Sequence, residues 1–180
     1  MCLEIFRDAG KAFSNAAKRK SMQKTALVLV ESAVMAAAAI TIITSKLTLA
    51  PWIFALVIGV GIVAGFVIKT IANALGSKGG FFEGLTAISY ALAPITLAIL
   101  LIAVLAWLPV LGIILGLLAS LILFAFGLAV LYRGVKEMFR TDMITAFVVV
   151  SVFAMAFIIA MQFSLSLNLL LSAGSLLPGV

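Results

Sequence analysis

The chain has 180 residues, of which 66% are hydrophobic and 10% charged, and its mean hydropathy is +1.37. That composition excludes a soluble globular domain. The balance of 12 Lys and Arg against 6 Asp and Glu gives a net charge of +6, an excess that in a membrane protein sets topology and attracts anionic headgroups rather than nucleic acid. There is no His and a single Cys, Cys2. His-ligated metal or haem, a His-based triad, CxxC chemistry and an intrachain disulfide are therefore excluded.

Residues 1–24 are polar enough to lie outside a bilayer core. Leu3, Phe6, Phe13 and Ala17 fall near one helical stripe, and Glu4, Arg7, Asp8, Lys11, Asn15 and Lys18 fall opposite. This pattern predicts a short interfacial amphipathic helix, weakened by Gly10. Cys2 is read as an unmodified thiol, with acylation as the alternative.

Two uncharged runs, 84–132 and 143–180, dominate the remainder of the chain. One crossing of a hydrocarbon core about 30 Å thick takes about 20 helical residues. The first run must therefore hold two spans, joined at Trp107-Leu108-Pro109. Five spans are predicted: 25–45, containing Glu31; 51–74; 85–106; 109–132; and 143–163. Residues 164–180 either extend the fifth or fold back along the interface. The first apolar run is of spanning length and is followed by further spans, so it reads as an uncleaved helix. The expected fold is all-α: a polytopic membrane helix bundle of five transmembrane helices over residues 25–180, preceded by the cytoplasmic basic segment 1–24 with its interfacial helix.

Charge distribution orients the bundle. With the N-terminus inside, the inner segments hold every Lys and Arg except Lys46, as the positive-inside rule requires. Trp52 and Trp107 then fall at the outer interface, where amphipathic rings are favoured. An odd number of spans places the C-terminus outside. Gly61-xxx-Gly65 in the second span and Gly112-xxx-Gly116 with Ser120 in the fourth are spaced for close helix approach. Internal packing is the first reading of these stripes and a homo-oligomer the second. No internal repeat supports an inverted-repeat transporter.

Few side chains are candidates for chemistry. Glu31 lies about 9 Å into its span by helix rise. Lys69 sits at a comparable depth on the next, antiparallel helix, so the two are expected to pair. Glu31 is read as a snorkelling or paired structural acid, with a proton or cation site as the functional alternative. Pro94 removes a backbone donor in mid-span and predicts a kink, with Tyr90 one turn earlier on the same face. Gly76-Ser77-Lys78-Gly79-Gly80 lacks P-loop spacing and reads as a flexible inner loop. No metal site, cofactor or enzymatic activity is expected.

Several motifs carry a family resemblance. Gly79-Gly80-Phe81-Phe82-Glu83-Gly84, followed by Ser89-Tyr90-Ala91-Leu92-Ala93-Pro94, resembles the Gly-rich inner loop and third span of the Yip family of five-span membrane proteins. Tyr132-Arg133-Gly134-Val135-Lys136-Glu137 looks like that family's basic-acidic turn after the fourth span, and Ile5-Phe6-Arg7-Asp8 like the lead-in of its short prokaryotic members. Ser89 stands where the family commonly has Gly, and Met138 where it often has His. The eukaryotic members bind Rab GTPases, but their Asp-Leu-x-Gly-Pro element and long acidic region are absent, so Rab binding does not carry over. The resemblance implies Gly79, Gly80, Phe81, Tyr90, Pro94, Arg133, Lys136 and Glu137 as the family-motif positions.

The expected function is binding without catalysis, as a scaffold or organiser of membrane partners on the inner face of a prokaryotic plasma membrane. The inner loop 78–83 and the turn 133–142 are its expected contact surfaces. The lipid bilayer, anionic inner-face lipids, and a membrane-protein partner or second copy are its expected partners. The alternative is a small ion or solute channel or transporter using Glu31.

Overall fold

The computed structural model describes Phe13, residues 22–108 and residues 110–174. Apart from Phe13 and residues 22–24, which open the first helix, the segment 1–24 expected to hold an amphipathic helix lies outside the described residues, as does Cys2. Among residues 22–174 as described, five helices occur in order: α1 (Met22–Thr44), α2 (Ala50–Ala74), α3 (Phe81–Leu105), α4 (Leu111–Phe139) and α5 (Met143–Gly174), with a 3₁₀ turn, Leu47–Leu49, between α1 and α2. No strand occurs among the described residues. Among the described residues four stretches are long and apolar enough to cross a membrane: Met22–Thr44, Leu47–Ala74, Phe81–Leu105 and Ile114–Phe139. The fifth helix opens with a shorter apolar stretch, Met143–Ala156, and continues to Gly174. The protein is an all-α, polytopic membrane helix bundle.

Short connections make sequential helices antiparallel neighbours. Pro51 sits in the first turn of α2, where its missing N–H costs no helical hydrogen bond. Trp52 and Trp107 lie at one end of the bundle, at the start of α2 and just past α3, and are 75% and 79% exposed. Leu56, Val63, Phe66, Leu117, Leu121 and Ile122 are also exposed, an outward face that acyl chains solvate and water would not.

Helix α3 is the axis of the bundle. Every residue from 84 to 91 is buried, and α1, α2 and α4 all pack against it. Small residues make this enclosure feasible. A Cβ added at Gly84 would lie 2.3 Å from the carbonyl oxygen of Gly65, and one added at Gly65 would lie 2.9 Å from Leu85 Cα, so α2 and α3 meet backbone to backbone. Gly61 faces Leu29 and Leu92, Gly112 faces Leu105 and Leu108, and Gly116 faces Ile102. Both small-residue stripes are thus used inside the bundle.

Buried hydroxyls are satisfied locally, as an apolar medium demands. Ser32 donates to Val28 O (2.9 Å), Ser89 to Leu85 O (2.6 Å), and Thr96 to Leu92 O and Ala93 O (3.0 and 3.1 Å). Thr86 donates to Phe82 O at 2.8 Å. Its single proton is then spent, so in the 3.0 Å contact between Thr25 and Thr86 the Thr25 hydroxyl is the donor.

Helix ends differ from the expected ones for physical reasons. Helix α3 begins at Phe81, not Leu85, because Gly80 is its N-cap and Glu83 Oε2 accepts the Gly80 N–H at 2.9 Å. Helix α4 runs to Phe139, seven residues past Tyr132. The basic-acidic segment Tyr132 to Glu137 is therefore the last turns of a helix and not a turn after it. Nothing in it breaks a helix, and Lys136 suits the negative end of the dipole. Residues 164–174 extend α5 and do not fold back. Helix α3 continues unbroken through the buried Pro94, which cannot donate to the carbonyl of Tyr90.

Candidate functional site

The ends of α2, α3, α4 and α5 meet at the face of the bundle opposite the tryptophans. Helix α2 closes in a Schellman motif. Gly76, at φ +89°, donates to Asn73 O (3.0 Å), and Ser77 N–H donates to Ala72 O (3.1 Å). Helix α4 closes in the same way on a non-glycine residue. Arg140 adopts φ 53°, and the next amide, Thr141 N–H, reaches back to Lys136 O at 3.2 Å. Asp142 then caps α5. Its carboxylate accepts the amides of Ile144 and Thr145 (3.0 and 3.1 Å) and the Thr145 hydroxyl (2.5 Å). The Thr145 hydroxyl, followed by the Thr145 and Ile144 amides, holds the Asp142 carboxyl below its ordinary value.

These closures bring two segments together that lie some sixty residues apart in sequence. A Cβ on Gly79 would meet the Phe139 ring at 2.0 Å, so the α2–α3 loop lies directly on the end of α4. Between them opens a cleft of about 640 Å³. Lys78, Glu83, Glu137, Arg140 and Asp142 supply its charges, and Leu75, Phe82, Met138 and Phe139 its apolar floor. Ser77 and Thr141 also line it. Their hydroxyl oxygens are buried and have no hydrogen-bond partner among the described residues.

The family model described as the Yip1 domain matches residues 3–164. The chain belongs to the Yip1 domain family. No curated protein and no solved structure matches it.

Within this Yip1 domain the motif positions divide into three groups. Gly79 and Glu137 line the cleft, with Gly80 and Phe81 beside it at the start of α3. Arg133 and Lys136 lie on the last turns of α4, outside the lining. Tyr90 and Pro94 are buried in the bundle. Tyr90 packs on Phe13, ring centroids 5.1 Å apart. Phe13 is fully buried and abuts Gly134 as well, so it inserts between α3 and α4 instead of resting among headgroups.

Glu31 and Lys69 are both partly buried, but the Lys69 ammonium lies 5.6 Å over the ring of Phe66, and no ion pair joins it to Glu31 among the described residues. A lysine stem reaches an aromatic one turn back on its own helix without crossing to another. Ser77 and Thr145 are site residues that sequence reading passed over. Asp142 just before the apolar run from Met143 is an N-cap signal, but no sequence signature singles out Thr145.

Proposed function

We propose that this Yip1-domain protein acts by binding, as a scaffold or organiser of membrane partners, through the end of the bundle that carries the cleft. The supporting observation is that the α2–α3 loop and the α4–α5 junction line one cleft there, with Lys78, Glu83, Glu137, Arg140 and Asp142 on it. The hydroxyls buried inside the spans are spent on their own helices or on each other, which favours binding at this surface over a conducting path through the bundle. We read this face as cytoplasmic, with the N-terminus, because Lys78, Arg133, Lys136 and Arg140 lie towards it while, among the described residues, Lys46 is the one basic residue at the other end. We read the membrane as a prokaryotic plasma membrane, a reading supported by the resemblance of the N-terminal segment to short prokaryotic members.

Photo-crosslinking in native membranes tests the reading, with probes at Arg133 and Lys136 beside the cleft and at Leu47 on the opposite end. One dominant foreign protein captured from the first two positions and absent from the third is the expected result. Adducts with lipid or the chain itself alone, from every position, would rule out a specific protein partner at this face.

A further inference from the structure

We propose that the cleft between the α2–α3 loop and the α4–α5 junction is a binding site for a zwitterionic aminophospholipid headgroup. Its level in the bilayer is the first argument. Four apolar helices end at it, at Ala74, Phe81, Phe139 and Met143. The floor of Leu75, Phe82, Met138 and Phe139 therefore lies at the edge of the hydrocarbon and the mouth opens among headgroups. The volume of about 640 Å³ is that of a small-molecule site.

The charges around the cleft select the ligand. Lys78 and Arg140 are exposed and make no ion pair among the described residues. They provide two cations for one phosphate, whose oxygens take charge-assisted hydrogen bonds from both. Asp142 is committed to capping α5, and Glu83 to the Gly80 amide. Glu137 remains, exposed and without an ion pair among the described residues, to receive an ammonium. The hydroxyls of Ser77 and Thr141 gain partners by turning about χ1 toward the phosphate; buried polar groups left without one are rare. A headgroup carrying only negative charge would press against Glu137 and Asp142, and a quaternary amine has no proton for Glu137 to accept.

This inference is independent of a protein partner, because it is read on the purified protein. The protein is extracted from vesicles of equal parts phosphatidylethanolamine, phosphatidylglycerol and phosphatidylcholine, and retained lipid is identified by native mass spectrometry. Wild type is expected to enrich phosphatidylethanolamine about tenfold over the other two, the discrimination of one charge-assisted hydrogen bond. The double variant Lys78→Gln/Arg140→Gln is expected to retain lipid in the bulk ratio. Glu137→Gln is expected to shift retention from phosphatidylethanolamine toward phosphatidylglycerol. All three side chains are exposed, and an unchanged helical circular dichroism spectrum confirms folding. Bulk composition on wild type, preference for phosphatidylglycerol, or enrichment that survives Lys78→Gln/Arg140→Gln would overturn the proposal.

Discussion

Replacing Gly84 by Ala adds one methyl group at the tightest contact in the bundle. The new Cβ would sit 2.3 Å from Gly65 O and 3.2 Å from Gly65 C, both backbone atoms that no rotamer change can move. Ordinary contact begins near 3.4 Å, so α2 and α3 must part by about 1 Å. A gap of that size forfeits up to about half of each dispersion well across the contact. Helix α2 buries Gly61, Ala64, Gly65, Ile68 and Ala72 in the bundle, and Gly65 is the one that meets Gly84. Overpacking of this kind costs about 1–3 kcal/mol, and the absence of a flexible neighbour places Gly84→Ala near the upper end. Against this, Ala is preferred to Gly within a helix by at most about 1 kcal/mol. The net loss is then about 2 kcal/mol. Gly59→Ala is the matched control, since nothing lies within 4 Å of its added Cβ. It retains only the propensity gain and should stabilise slightly. Thermal unfolding in detergent micelles, followed by circular dichroism, should move the two variants in opposite directions. A Gly84→Ala midpoint equal to or above that of wild type would refute the backbone contact between α2 and α3.

Other positions have equally definite expected outcomes. Phe13→Ala removes a fully buried ring from between Tyr90 and Gly134 and should cost about 3 kcal/mol in the same unfolding assay; a near-neutral result would mean that Phe13 is not a core residue. Arg140→Gly relieves a left-handed residue and should raise stability by up to about 1 kcal/mol, while weakening headgroup retention through loss of the cation. A lowered midpoint would show that the left-handed cap carries no strain. The Asp142 carboxyl is depressed in the folded state, so its contribution is present above the unfolded value and lost as pH falls through the folded one. The stability gap between wild type and Asp142→Asn should therefore be constant near neutrality and close in acid below the usual carboxylate range. A gap that persists unchanged in acid well below the usual carboxylate range would mean that the Asp142 carboxylate does not stabilise the start of α5. In a Cys2→Ser background, Lys46→Cys should react with an impermeant maleimide from outside intact cells, and Arg133→Cys only after permeabilisation; the reverse pattern would invert the orientation.

The spans were legible because hydrophobic length is a one-dimensional signal. The uncharged run 84–132 had to contain two helices and a joint, and α3 and α4 part at Trp107-Leu108. Their ends were less legible because caps decide them. Glu83 belongs to the first turn of α3 through its bond to the Gly80 amide, and α4 stops only where Arg140 can turn left-handed. The use of Gly61 and Gly65 could be read from spacing. The decisive partner, Gly84, could not, since its role exists only where another helix crosses. Glu31 and Lys69 matched in depth, but depth along an axis says nothing of the direction around it. The segments 78–83 and 133–142, each expected to be a contact surface, could be read from the sequence only one at a time. That they form one cleft depends on Gly79 meeting Phe139, a contact between residues sixty apart that no periodicity reveals.

That contact supports both the partner surface and the headgroup site, and a disulfide measures it directly. In a Cys2→Ser background, Gly79→Cys and Phe139→Cys are combined and oxidised in membranes. Disulfide geometry tolerates only a short Cβ separation. The structure predicts rapid intramolecular crosslinking, seen as loss of maleimide labelling that returns on reduction. Two thiols that stay fully reactive after oxidation would mean the loop does not lie on α4 and the cleft does not exist.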